Sequence, residues 1–108
     1  MAIRGYHAHI YFDAPEIETA RAFAKAAHEK FNVPVGHFHT APVGPHPRGS
    51  CQLSMRPEQF AQFAAWASEA RGDLIIFAHG LSGNDLDDHT KYVIWFGQSE
   101  PLDMTIFA

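Results

Sequence analysis

One cysteine, Cys51, stands among the 108 residues. No internal disulfide can close, and a reducing cytoplasm is the expected setting. Long apolar runs are also missing: one of the longest, Leu74 to Ala78, falls far short of the ~20 residues that a membrane helix requires. The opening Met1-Ala2-Ile3-Arg4-Gly5 has no apolar core of a secretory leader. Positive charge is sparse, with 8 Lys and Arg against 12 Asp and Glu for a net charge of −4, and it forms no cluster. A nucleic-acid or anionic-membrane surface is therefore not expected, and a small molecule is the natural partner. Internal repeats and low-complexity tracts are absent, so residues 1–108 read as a single domain. So small a domain suggests a second subunit, and a homodimer is expected.

Histidine is what the chain has in excess. There are 8 in 108 residues, dispersed rather than run together, and all but His28 lie outside the two helices read below. Histidine is the commonest metal ligand and titrates near neutral pH, so the excess points to a metal or proton-transfer site. The densest stretch is Tyr6-His7-Ala8-His9-Ile10-Tyr11-Phe12. As a strand it sends His7, His9 and Tyr11 to one face and Tyr6, Ala8, Ile10 and Phe12 to the other. Two imidazoles two strand positions apart lie roughly 6–7 Å apart at Cα, close enough to share one metal ion.

After this strand, Asp13, Pro15 and Glu16 open a helix from about Pro15 to Phe31, with Ile17, Ala20, Ala24, Ala27 and Phe31 as its buried stripe. Asn32 and Pro34 end it. His28 reads as a solvated last-turn residue. Val35 to Pro42 reads as a second strand with His37 and His39 on one face. Val43 to Gly49 is a Gly- and Pro-rich turn displaying His46, held between two prolines, and Arg48. A plain turn explains the Gly and Pro; a functional loop would explain the His and Arg as well.

Ser50 to Met55 alternates as a third strand, pairing as a hairpin with the second and placing Gln52 on its polar face. Pro57 to Arg71 is a second helix with Phe60, Phe63, Ala64, Ala67 and Ala70 inward and Gly72 as its stop, while Trp66 lies off that stripe as a partly exposed aromatic. Leu74 to His79 is a fourth strand, nearly all apolar. An acidic loop from Leu81 to His89 leads to a fifth strand, Lys91 to Gly97, and Leu102 to Ala108 has the character of a further short strand.

The order β-α-β-β-α-β with an additional C-terminal strand predicts an α+β, ferredoxin-like fold. Helices cover one face of an antiparallel sheet whose first four strands lie in the spatial order 4-1-3-2. Right-handed crossovers then bring His79 beside His7. The helices pack on Ala8 and Ile10, which turns His7, His9 and Tyr11 to the helix-free face with His37 or His39, Gln52 and His79. Several imidazoles converging there are hard to reconcile with core packing. The turn bearing His46 and Arg48 falls at the opposite sheet end, with side chains able to hang over that face.

Taken together, Tyr6 to Phe12, Gly44-Pro45-His46-Pro47, Ser50-Cys51-Gln52-Leu53, Arg71-Gly72-Asp73-Leu74, His79, Asp85-Leu86-Asp87-Asp88-His89-Thr90 and Trp95-Phe96-Gly97 resemble the DOPA 4,5-dioxygenase family over nearly the whole chain. The resemblance implies a ferredoxin-like fold, non-haem Fe(II), O₂ and extradiol cleavage of a catechol such as DOPA. By motif match it marks His7, His9, His46, His79 and His89 as site residues, whereas His37 and His39 rest on the strand argument. One departure is Phe77-Ala78-His79-Gly80, where a more aliphatic stretch ending His-Pro is expected. No Asp or Glu falls on the His-bearing faces, so His7, His9 and His79 are the expected ligands, with Asp85 to Asp88 as an alternative carboxylate source. His46, His39 and His89 are the candidates for acid-base catalysis, and Arg48, Gln52 and Tyr11 for substrate binding. The same imidazoles would accept Zn or Ni. The competing readings are a metal-dependent hydrolase or isomerase that does not use O₂, and a non-enzymatic metal-binding dimerisation module.

Overall fold

The computed structural model describes residues 3–107. Its centre is β1 (Tyr6–Phe12), which pairs on both sides. It runs antiparallel to β2 (Gly49–Met55) with His9 opposite Gln52, and antiparallel to β3 (Ile75–Gly80) with His7 opposite His79. A short β4 (Val93–Phe96) completes the sheet beside β3, in the order β2-β1-β3-β4. Two helices, α1 (Ile17–Phe31) and α2 (Pro57–Ala70), lie on one face. This is the expected α+β ferredoxin-like arrangement, with the extra strand added beside β3.

The period-two pattern of β1 decides which face is core. Ala8, Ile10 and Phe12 are buried against Ala20, Phe23, Ala24 and Ala27 of α1 and against Phe60, Phe63 and Ala67 of α2. A one-residue slip in register would put His7, His9 and Tyr11 among these apolar groups instead, so burial pins the pairing. Phe23, outside the expected stripe, is buried because Trp66 stacks on it at 5.0 Å, which closes the seam between the helices. Ala70, expected inward, is exposed at the last turn of α2. Pro15 falls in a 3-10 turn before α1, where Glu16 accepts the Asp13 N–H at 3.0 Å. Asn32 ends α1 in the left-handed conformation, φ 56°. Cys51 is a core residue; burial pushes its thiol up to about 11, so it is an inert apolar group rather than a nucleophile.

Two expected strands are corrected. Residues 35–42 touch β2 only through isolated bridges, Val35 to Leu53 and His39 to Ser50. Four residues on one side span three on the other, so one residue bulges, and Pro34 and Pro42 lack the N–H groups that a longer ladder needs. The C-terminal segment forms a 3-10 turn, Met104–Phe107, not a strand; Ala108 lies outside the described residues. The acidic loop also contains a short helix, α3 (Asp85–Asp88).

The helix-free face is not bare. Tyr11 and Phe77 are fully buried there, with the His46 ring packed against both and the Phe107 ring against that of His89. The helix-free sheet face is thus covered in part by the chain's own loops. Among the described residues no helix is long and apolar enough to cross a membrane.

Candidate metal centre and catalytic cleft

Three strand positions create the centre. His7 and His9 share one face of β1, and the antiparallel register sets His79 of β3 directly beside His7. Their ligand nitrogens all lie within 4.8 Å of one another. His9 Nε2 and His79 Nε2 are 3.2 Å apart. Two imidazoles on adjacent positions of one ion, each at ~2.0–2.1 Å, would stand roughly 3 Å apart, so the spacing fits a shared metal.

Tautomers follow from what the partners can do. His79 Nδ1 lies 3.1 Å from the Gly80 carbonyl, which only accepts, so Nδ1 carries the hydrogen and Nε2 presents its lone pair to the centre. This is the outer partner that a ligating histidine requires. Gly80 explains the sequence departure at this point: its N–H donates to Tyr92 O at 2.9 Å, a bond that proline could not make.

Burial, and then repulsion among neighbouring imidazoles, keeps the rings neutral. Desolvation pushes His79 and His46 down to about 4 and His9 well below its ordinary 6.5, and lowers His7 as well. Neutral imidazole is the ligating form. Between pH 6.5 and about 4 the unfolded chain therefore binds more protons than the folded one. The metal-free protein should lose stability as pH falls through this window and gain none from these groups above it. Thermal unfolding in chelator should show the midpoint dropping by more than about 5 °C from pH 6.5 to 5, since 1 kcal/mol moves a domain of this size by roughly 4–8 °C. A flat profile would mean that the rings are not held neutral.

Two further histidines face the same centre. His89, capping α3, donates from Nδ1 to the Asp85 carbonyl at 2.7 Å, and its ring lies 4.3 Å from that of His79. Its Nε2 is thereby left as an acceptor. His46 was expected at the far end of the sheet; instead its loop folds back, because Pro45 and Pro47 stiffen a turn that the His46 N–H closes on Val43 O. Its ring stands 4.1 Å from that of His9, and its Nδ1 meets Tyr11 Oη at 2.8 Å.

A cleft of about 250 Å³ runs beside the triad, lined among others by His46, Gln52, Asp85, His89 and Phe107. A second, of about 240 Å³, adjoins it across His9, His46 and Gln52 and is walled by His37 and His39. The expected His39 and Gln52 thus sit between or beside the two spaces, and His37 joins them. Tyr11 lines neither cleft, since it is fully buried under the His46 loop.

The acidic loop supplies no ligand to the His cluster. Asp88 is buried and turned to the Ser82 hydroxyl and N–H, which ties the loop shut. It still matters electrostatically, since its charge opposes part of the downward shift at His7 and His79.

Arg48 is held at a different wall. Its fork takes both oxygens of Glu100, at 3.0 and 2.8 Å, with Asp13 and Glu16 each 3.4 Å away, and its Cζ lies 5.8 Å from the Tyr11 ring centre. The turn residue expected to meet substrate is therefore already filled with carboxylates. Arg48→Ala is expected to cost roughly 1.5–3 kcal/mol of stability, as for other hydrogen bonds between charged groups, read from urea unfolding. A KM that rises only for carboxylated catechols would instead assign Arg48 to substrate. Glu100 carried no sequence signal: it lies 52 residues away in an irregular segment.

Comparison with known proteins agrees with this arrangement. Over 96% of its length the chain superimposes on 90% of a candidate dioxygenase from Nostoc punctiforme, with a TM-score of 0.93 and 34% identity. It is 32% identical to the DOPA 4,5-dioxygenase of Amanita muscaria and 33% identical to an uncharacterised 21.2 kDa protein of Botryotinia fuckeliana. The matches take in 94% and 96% of this chain but only 49% and 64% of those longer proteins. A family model matches residues 6–106, from the first strand through the C-terminal turn, and so includes every histidine of the site. Sequence, fold and clustered imidazoles converge: the chain belongs to the Dopa 4,5-dioxygenase family.

Proposed function

We propose that the chain is an extradiol dioxygenase that opens the ring of a DOPA-like catechol with O₂, using Fe(II) held by His7, His9 and His79. The observation that carries this reading is the histidine triad, with its nitrogens within 4.8 Å of one another, facing a cleft that also holds the acceptor nitrogen of His89. The name of the Amanita muscaria relative supports the substrate class. Held by His7, His9 and His79, Fe(II) would supply the redox chemistry between O₂ and the catechol.

The remaining chemistry belongs to the chain. His89 Nε2 accepts the proton that a catechol hydroxyl must lose. The buried Phe77 ring, with the half-buried Trp95 ring centred 4.6 Å from it, helps keep water from the floor of the site. The cleft walled by His37, His39 and Gln52 takes the ring substituent, and His39 and Gln52 offer it hydrogen bonds. The overall step consumes one O₂ per ring, breaks one ring C–C bond beside a hydroxyl-bearing carbon and places both oxygen atoms in the product, so no external reductant enters.

The test is anaerobic reconstitution with Fe(II), followed by oxygen-electrode assays across a catechol panel. One O₂ taken up per catechol, with a yellow semialdehyde-type product, is the expected result. Stoichiometric metal without oxygen uptake would leave a metal-binding module. Turnover of a hydrolysable substrate with Zn and without O₂ would make it a hydrolase.

A further inference from the structure

His46 lies as near the triad as a ligand would, with its ring 4.1 Å from that of His9, yet it is not in the group whose nitrogens converge. The reason lies on its other side. Tyr11 is fully buried, and its hydroxyl has one hydrogen-bond partner among the described residues, His46 Nδ1 at 2.8 Å. If Nδ1 carried the hydrogen, the phenolic O–H would be sealed in the interior with no acceptor. With the hydroxyl donating, both groups are satisfied and the imidazole hydrogen must sit on Nε2. That nitrogen makes no hydrogen bond to a described residue. Since no buried side-chain nitrogen or oxygen is left unpartnered among them, Nε2 is open to the clefts that His46 lines.

We infer that Tyr11 is a positioning residue that locks His46 in its Nε2–H tautomer, so that His46 meets the substrate as a hydrogen-bond donor and is excluded from the metal. The inference rests on the proposed dioxygenase reading for the identity of the acceptor, an oxygen of the catecholate or of the O₂-derived group. The tautomer itself does not depend on that reading. Arg48 supports the device from behind: Glu100 holds the guanidinium, which in turn stands over the Tyr11 ring and keeps the phenol from swinging away. His46 and His89 then become opposites. A carbonyl makes His89 an acceptor at Nε2, and a phenol makes His46 a donor at Nε2.

Long-range ¹H–¹⁵N spectra of the metal-free protein at pH 7.5 read the tautomer directly, with His46 assigned by its loss in His46→Gln. The wild type should show His46 protonated at Nε2, and Tyr11→Phe, which keeps the ring, should show a mixture or the Nδ1–H form. A wild type protonated at Nδ1, or a Tyr11→Phe spectrum unchanged at His46, would overturn the inference. In the Fe(II)-loaded enzyme, Tyr11→Phe should lower kcat by about tenfold or more with iron content retained, as for loss of one aimed donor. A shifted tautomer with wild-type kcat would overturn the functional half. Absence of oxygenase activity in the wild type would sink the dioxygenase reading and leave the tautomer result standing.

Discussion

His79→Ala is expected to strip the protein of its metal and abolish oxygen uptake while the sheet stays folded. His79 is held from two directions, by its strand register beside His7 and by the Gly80 carbonyl on Nδ1. Among the described residues the converging nitrogens are those of His7, His9 and His79, while His89 is tied through Nδ1 to α3 and His46 to Tyr11. Losing even an outer partner of a ligating histidine costs about 10–100-fold in metal affinity, so losing the ligand itself should cost at least about 10²-fold. The backbone pairing of β1 with β3 does not involve the imidazole, and removal of a buried polar ring offsets part of the cost of the space it leaves. Metal content by elemental analysis, alongside circular dichroism, decides the matter. A folded variant with full occupancy would remove His79 from the centre.

His89→Gln should behave in the opposite way, with metal retained and kcat lowered about 10²–10⁴-fold, the usual contribution of a placed general base. Glutamine fills similar space against Phe107 and His79 but does not accept a proton at neutral pH. KM should change little, because the cleft walls of His37, His39 and Gln52 are untouched. Loss of iron in this variant would make His89 a ligand, and unchanged kcat would leave it a helix cap.

The two predictions differ in how visible their residues were in the sequence. His7, His9 and His79 could be brought together on paper because strand periodicity assigns faces and right-handed crossovers assign neighbours. The register of β1 with β3 realises that reasoning pair by pair. What sequence could not give was the path of the irregular chain. The 43–48 loop folds back over the sheet through a turn and two proline constraints that alternation does not encode. The segment 35–42 looked like a strand because its residues alternate, yet the flanking Pro34, the terminal Pro42 and a bulge leave only two bridges. Arg48 looked available because nothing local neutralises it, and its partner Glu100 is remote in sequence. Roles at Nε2 were the least legible of all, since they depend on which atom faces Nδ1: a carbonyl for His79 and His89, a phenol for His46.

The central claim, that His7, His9 and His79 hold one metal ion, is tested most directly by anomalous diffraction from crystals of the protein loaded anaerobically with Fe(II). The account predicts a single iron peak per chain bound by those three imidazoles, with His46 and His89 beside it but not coordinated. Iron at His37 and His39, or iron coordinated by His46 or His89 in place of one of the three, would contradict it.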